Sequence, residues 1–208
     1  MEYIPVIVII VIIVAILVAL SSSGHAHPST RKNAINRSSD PVKAAGKQAE
    51  LYSTDIIKSA LKSDDILLTN VEIQYQDKPA ELDDVVINQY GVFIIEVKYY
   101  NGKLKGKEDD FEWTKTHVTE AGNSYVKPVK NPIVQVKRQI HILANYLRDN
   151  GINVWAKGYV LLLDNKSPGK SNYVLTSITD IKNVLHTVDR KTLDKKTIES
   201  IKKLLSHK

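Results

Sequence analysis

The run Glu81-Leu82-Asp83-Asp84-Val85-Val86-Ile87-Asn88-Gln89-Tyr90-Gly91-Val92-Phe93-Ile94-Ile95-Glu96-Val97-Lys98 constrains this chain more than any other stretch. Two β-rich segments flank Asn88–Gly91, a four-residue connection ending in glycine, which predicts a hairpin. Val92 and Ile94 precede Glu96 on one face of the second strand, while Phe93, Ile95 and Val97 line the other. A strand apolar on both faces belongs in the middle of a sheet that is covered on both sides. A charged pair on such a strand needs a reason.

If Ile87 pairs with Val92, Asp83 falls directly opposite Glu96, with Cβ atoms roughly 5 Å apart. Lys98 lies two residues beyond Glu96 and shares its face. A three-residue loop would instead place Asp84 opposite Glu96. Either register gathers two carboxylates and one ammonium. Carboxylates this close repel unless a cation sits between them. A hard divalent cation with oxygen ligands, such as Mg²⁺, fits the charge and the space. It would polarise a scissile phosphate and supply a metal-bound hydroxide, while Lys98 would hold the attacking water or balance transition-state charge. The competing reading is a Glu-x-Lys pair on the solvated face of an antiparallel sheet.

The surrounding pattern supplies the sheet and its helices. A first helix is predicted over 41–61, with Ala45, Ala49, Ile56, Ile57 and Leu61 as its apolar positions. Strands are predicted at 66–74, 83–87 and 92–100, then a small hairpin from 103–105 and 111–114. Asn131-Pro132 opens a helix with an N-cap and a proline at its first position. Ile133, Val136, Ile140, Leu143 and Leu147 form its buried stripe, and Asn150-Gly151 ends it. A strand at 154–163, another at 173–177, and helices near 178–188 and 193–206 complete the chain. The order α-β-β-β-α-β predicts an α/β fold, a mixed sheet flanked by helices.

The N-terminus is of a different kind. Ile4 to Leu20 is an unbroken apolar run of 17 residues, which as a helix spans roughly 25 Å, just under a ~30 Å hydrocarbon core. Two readings compete: an uncleaved transmembrane anchor, and a signal peptide cleaved near Gly24-His25-Ala26. Met1-Glu2-Tyr3 is acidic where a signal peptide wants a basic flank. Arg31, Lys32, Arg37, Lys43 and Lys47 follow the run, which places the C-terminal domain in the cytoplasm of a single-pass cell-membrane protein. The Ser-, Asn- and His-rich stretch that follows reads as a tether, with His25 and His27 as polar filler.

Cysteine is absent, which excludes disulfide frameworks, thiolate metal sites and thiol nucleophiles. The net charge is +6, and beyond residue 20 the balance is 29 basic against 22 acidic side chains. That charge suits nucleic acid or an anionic membrane surface. Lys103 and Lys105, with Lys107, and Lys130, Lys137 and Arg138 around the second helix are the candidate phosphate contacts. His117 and His141 stand alone and read as surface or packing residues.

Several motifs, in order, resemble the nuclease-related domain (NERD) family of the PD-(D/E)xK nuclease superfamily. Gly46-Lys47-Gln48-Ala49-Glu50 is similar to its first-helix motif, Glu81-Leu82-Asp83 to its acidic strand, and Gly91 through Lys98 to its Glu-x-Lys strand. Asn101-Gly102, Trp113 and Asn131-Pro132-Ile133-Val134-Gln135 continue the match. The resemblance implies a restriction-endonuclease-like core with Asp83 and Glu96 as ligands of Mg²⁺, Mn²⁺ serving in its place. It also implies Lys98 as the catalytic lysine, Glu50 as an auxiliary acid and Gln135 as a residue lining the site. The layout expected is an anchor at 1–21, a tether at 22–40, the NERD-like domain at 41–165 and its C-terminal extension at 166–208.

Three functions follow as expectations. The first is a membrane-anchored, metal-dependent nuclease hydrolysing phosphodiester bonds in DNA rather than RNA. The second is an inactive module of the same fold binding nucleic acid or a protein partner, and the third a scaffold whose basic surface meets anionic lipid. A homodimer stays open, because folds of this type often need two subunits to cut both strands.

Overall fold

The computed structural model describes residues 52–100, 102–119, 121–163, 168–169, 171–188 and 192–206, which fall within one compact unit, Ala49–Lys208. The apolar run 4–20, the tether with His25 and His27, and Glu50 lie outside the described residues. Among the described residues, no helix is long and apolar enough to cross a membrane.

Residues 52–60 are helical (α1). Strands β1 (Ile66–Tyr75), β2 (Lys78–Asn88) and β3 (Gly91–Tyr99) follow. Then come β4 (Lys103–Lys105), β5 (Glu112–Val118) and β6 (Ser124–Lys130). Helix α2 (Pro132–Asp149) leads to β7 (Ala156–Leu163), β8 (Val174–Leu175), α3 (Ile178–His186) and α4 (Lys195–Ser206). The main sheet has the order β1-β2-β3-β7-β8, and β4, β5 and β6 form a second, three-stranded sheet.

In the main sheet β1, β2 and β3 are antiparallel neighbours, whereas β7 pairs parallel to β3 and β8 parallel to β7. The central position of β3 follows from its apolar faces. Val92 and Ile94 share one core with Ile133, Val136 and Leu143 of α2 and Ile201 and Leu205 of α4. Phe93 and Ile95 share the other with Ile57 and Ala60 of α1 and Ile181 and Leu185 of α3. Each face thus buries its side chains against two amphipathic helices, the source of most helical stability in proteins.

The hairpin register is Ile87 opposite Val92, but the ladder runs one rung further, to Asn88 opposite Gly91. The connection is therefore Gln89-Tyr90 rather than four residues. Gly91 has φ +144°, a backbone conformation that side-chain-bearing residues rarely adopt. Asp84 pairs with Ile95, so the register placing Asp84 opposite Glu96 does not occur.

Further features depart from the sequence expectations. Strand β6 was not foreseen, and it turns the small hairpin into a sheet. Strand β2 begins at Lys78 rather than near Asp83, because β1 templates it from Tyr75–Lys78 onward. Along α2 the buried stripe includes Gln139, Ile142 and Asn145, while Ile140 is only half-buried.

Candidate active site

The β2–β3 ladder stops at Asp84 opposite Ile95, one rung short of Asp83 and Glu96. The reason is visible in the packing. Ala80, Leu82, Val85 and Ile87 all enter the same core, as do Leu68 and Val71 on β1. Strict alternation would not permit either set, so the inward phase slips by one residue near Asp83 and near Asn70, whose φ is +51°. Asp83 sits at the slip, and its Oδ2 accepts the Val97 backbone N–H at 2.9 Å. The carboxylate thereby replaces the missing ladder bond. Asp83 and Glu96 are brought together through β3's backbone, not as the facing pair that alternation predicts.

Glu96 is 1% exposed. An ionised carboxylate so buried is costly unless several donors surround it. Lys98 supplies one as a salt bridge to Oε1. Gln135 Nε2 donates to the same oxygen at 2.6 Å, and Gln139 Nε2 donates to Oε2 at 2.6 Å. Gln139 also donates to the Glu81 carbonyl at 2.9 Å, tying α2 to β2. Burial alone would lower the Lys98 ammonium, but the adjacent Glu96 and, more weakly, Asp83 raise it above its usual 10.5. Burial pushes the neighbouring Tyr100 phenol up as well, with Lys98 opposing.

Helix α2 presents the two glutamines because its start is pinned. The Asn131 Oδ1 accepts the Ile133 N–H at 2.9 Å, the N-cap bond expected from Asn-Pro. Its Nδ2 donates to the carbonyls of Glu108 at 2.9 Å and Asp110 at 2.7 Å. One side chain therefore fixes both the helix and the loop before β5. Gln135 and Gln139 are one helical turn apart and so share a face. Gly158 of β7 lets the helix approach closely, since a Cβ there would lie 2.8 Å from Ile140 Cγ1 and 3.0 Å from Val136 Cγ2.

The structure thus gathers Asp83, Glu96, Lys98 and Gln135 of the expected set. Gln139, which the sequence presents as a solvated neighbour of Gln135, is 2% exposed and belongs with them. The signal for it was its place among Val136, Leu143 and Leu147 on the apolar stripe. The basic residues divide. Lys103, Lys105 and Lys130 are exposed on β4 and β6, whereas Lys137 pairs with Glu108 at 3.2 Å and Asp109 at 3.3 Å. Arg138 donates to the Pro79 carbonyl at 3.0 Å. His141 lies beside Asn145 on α2, away from these groups in sequence and bonding.

The donor set suits a hard divalent cation in kind, being carboxylate oxygens without sulfur or imidazole. A carboxylate offers about four acceptor positions, and three N–H donors leave room on Glu96 Oε2. Among the described residues no group of three or more His, Cys, Asp or Glu side chains that could hold a metal ion is gathered; Glu96 and Asp83 are the carboxylates that act on Lys98. The chain matches no curated protein and no solved structure. Residues 45–163, more than half of the chain, match the family model of the nuclease-related domain, and the chain belongs to that family, NERD, within the PD-(D/E)xK context.

Proposed function

We propose that the domain hydrolyses phosphodiester bonds in DNA with Mg²⁺ or Mn²⁺, and that residues 4–20 anchor it to a membrane with the domain on the cytoplasmic side. The observation that carries the catalytic part is the buried Glu96 carboxylate, held by Lys98, Gln135 and Gln139 at the end of an otherwise apolar central strand. Asp83 and Glu96 would hold the cation, which when bound supplies a Lewis acid and an activated water. Lys98, which pairs with Glu96, would balance negative charge on the phosphate. Gln135 and Gln139 hold the Glu96 carboxylate in its orientation. Lys103, Lys105 and Lys130 are the better placed phosphate contacts, because Lys137 and Arg138 already serve partners within the fold.

A second reading, an inactive module that binds nucleic acid or a protein, draws on the same geometry. Three donors on one carboxylate also make a self-sufficient structural knot.

Cleavage of plasmid and single-stranded DNA by the full-length protein in detergent, with Mg²⁺, Mn²⁺ or EDTA, decides between them. Metal-dependent cutting that Lys98→Ala and Glu96→Ala both abolish is the expected result. A wild type that binds DNA without cutting it under any metal would hand the site to the binding module. Membrane fractionation with and without residues 1–20 tests the anchor separately.

A further inference from the structure

The second sheet leaves the main fold at the site and returns to it. Strand β3 carries Glu96 and Lys98 just before β4, and α2 carries Gln135 just after β6. Both roots of this arm are therefore at the buried carboxylate.

One face of the arm changes character from root to tip. Its rungs across β5 and β6 are Trp113 opposite Val129, Lys115 opposite Lys127, and His117 opposite Tyr125. Trp113 and Leu104 are buried in the core that also holds Val92 and Ile94. Along the next rungs Lys115 and His117 are half-buried, while Lys127 is exposed and Tyr125 is 53% exposed. Alternation places Lys103, Lys105, Thr114 and Thr116 on the opposite face. The lysines foreseen on β4 and the Lys115/Lys127 rung thus point to different sides.

The Lys115/Lys127 rung is not what a merely solvated hairpin would choose. Like charges directly opposite one another destabilise a ladder. Neither lysine has an ion-pair partner among the described residues, and no acidic residue occupies a rung of that face. The next rung, about 7 Å further out, sets His117 opposite Tyr125. Cations beside an exposed tyrosine ring and a half-buried imidazole match the phosphates and unstacked bases of a single strand. A duplex hides its bases, and a lipid surface offers nothing for the rings to stack upon. A second copy adding to the sheet edge is disfavoured by Pro128 on the edge strand β6, which lacks an N–H to donate.

We propose that the face bearing Lys115, Lys127, His117 and Tyr125 binds single-stranded nucleic acid and leads it toward the Glu96 site. The binding stands alone; the delivery rests on the nuclease reading above.

The test is fluorescence anisotropy of the full-length protein in detergent and EDTA, with labelled oligo(dT), oligo(rU) and a duplex of equal length. Single strands should bind more tightly than the duplex. Lys115→Ala with Lys127→Ala should flatten the salt dependence by about 1.4 in log–log slope, at ~0.7 per lost contact. Tyr125→Ala should weaken single-strand binding roughly tenfold and leave duplex binding unchanged. Comparison of the two oligomers tells DNA from RNA. Equal or tighter duplex binding, or single-strand affinity untouched by these variants, overturns the proposal. So does displacement of the oligonucleotide by phosphatidylserine in the micelles when that displacement requires the two lysines. Binding is read in EDTA, where no cation-dependent cleavage runs, so loss of this face and loss of cleavage are separately visible. Circular dichroism of each variant checks its fold, and Tyr125→Ala, at an exposed tip, carries the test by itself if the lysine variant misfolds.

Discussion

Gln139 donates its side-chain amide to Glu96 Oε2 at 2.6 Å across 43 residues of sequence, and to the Glu81 carbonyl from the same nitrogen. The helix is therefore keyed to both strands through a buried carboxylate and a backbone carbonyl.

Replacing Gln139 with Leu keeps the volume close and removes the donor. A buried acceptor left without a partner costs about 1–3 kcal/mol, more when charged. Urea unfolding should show a lower midpoint at unchanged slope. A double-mutant cycle with Gln135→Leu should be non-additive, since both amides serve one carboxylate. Additivity within the error would mean that the two glutamines do not share it.

Lys98 makes a prediction about pH. Burial opposes its charge, but Glu96 and Asp83 together raise it above 10.5. A raised cation contributes stability that is complete below the unfolded value and is lost as pH climbs through the folded one. The difference in melting temperature between wild type and Lys98→Met should be constant from about pH 7 to 9 and shrink above about 10.5. A difference already shrinking near pH 8 would mean that the ammonium is not held by these carboxylates.

Asn131 does two jobs with two ends of one amide. Loss of an N-cap side chain costs about 1 kcal/mol, and the loop carbonyls of Glu108 and Asp110 lose their donor besides. Asn131→Ala should cost about 2 kcal/mol or more. Asn131→Asp preserves the cap oxygen but not the donor. If the loop contacts dominate, Asp should destabilise nearly as much as Ala in chemical unfolding; if the cap dominates, it should be close to wild type.

Gly158 tests how tightly α2 must sit. A methyl group there meets Ile140 Cγ1 at 2.8 Å, and overpacking of this kind costs typically 1–3 kcal/mol. Gly158→Ala should lower the melting temperature, and adding Ile140→Ala should restore part of the loss. A Gly158→Ala protein as stable as wild type would show that the helix can withdraw freely. Activity should then fall anyway, because Gln135 and Gln139 withdraw with it.

Much of the fold was legible because its signals are local. The two-sided apolar run Val92–Val97 identifies a central strand, and Gly91 identifies the turn that fixes Ile87 opposite Val92. Asn131-Pro132 marks the start of α2 to the residue. Glu96, Lys98 and Gln135 could be nominated because each stands in a short motif. Strand β6 was missed because Ser124–Lys130 is mostly exposed and holds a proline, and only the rungs supplied by β5 make it a strand.

What tertiary structure alone decided is how these pieces meet. Asp83 reaches the Val97 amide because the phase of β1 and β2 slips at Asn70 and Asp83, which no periodicity within either strand announces. Gln139 reads as solvated until β3 places a buried carboxylate above it. Lys115 and Lys127 are unremarkable in sequence, and pairing sets them face to face. Sequence periodicity reports which side of its own element a residue occupies. The partner found on that side depends on packing between elements dozens of residues apart, where burial and electrostatic pairing are settled together.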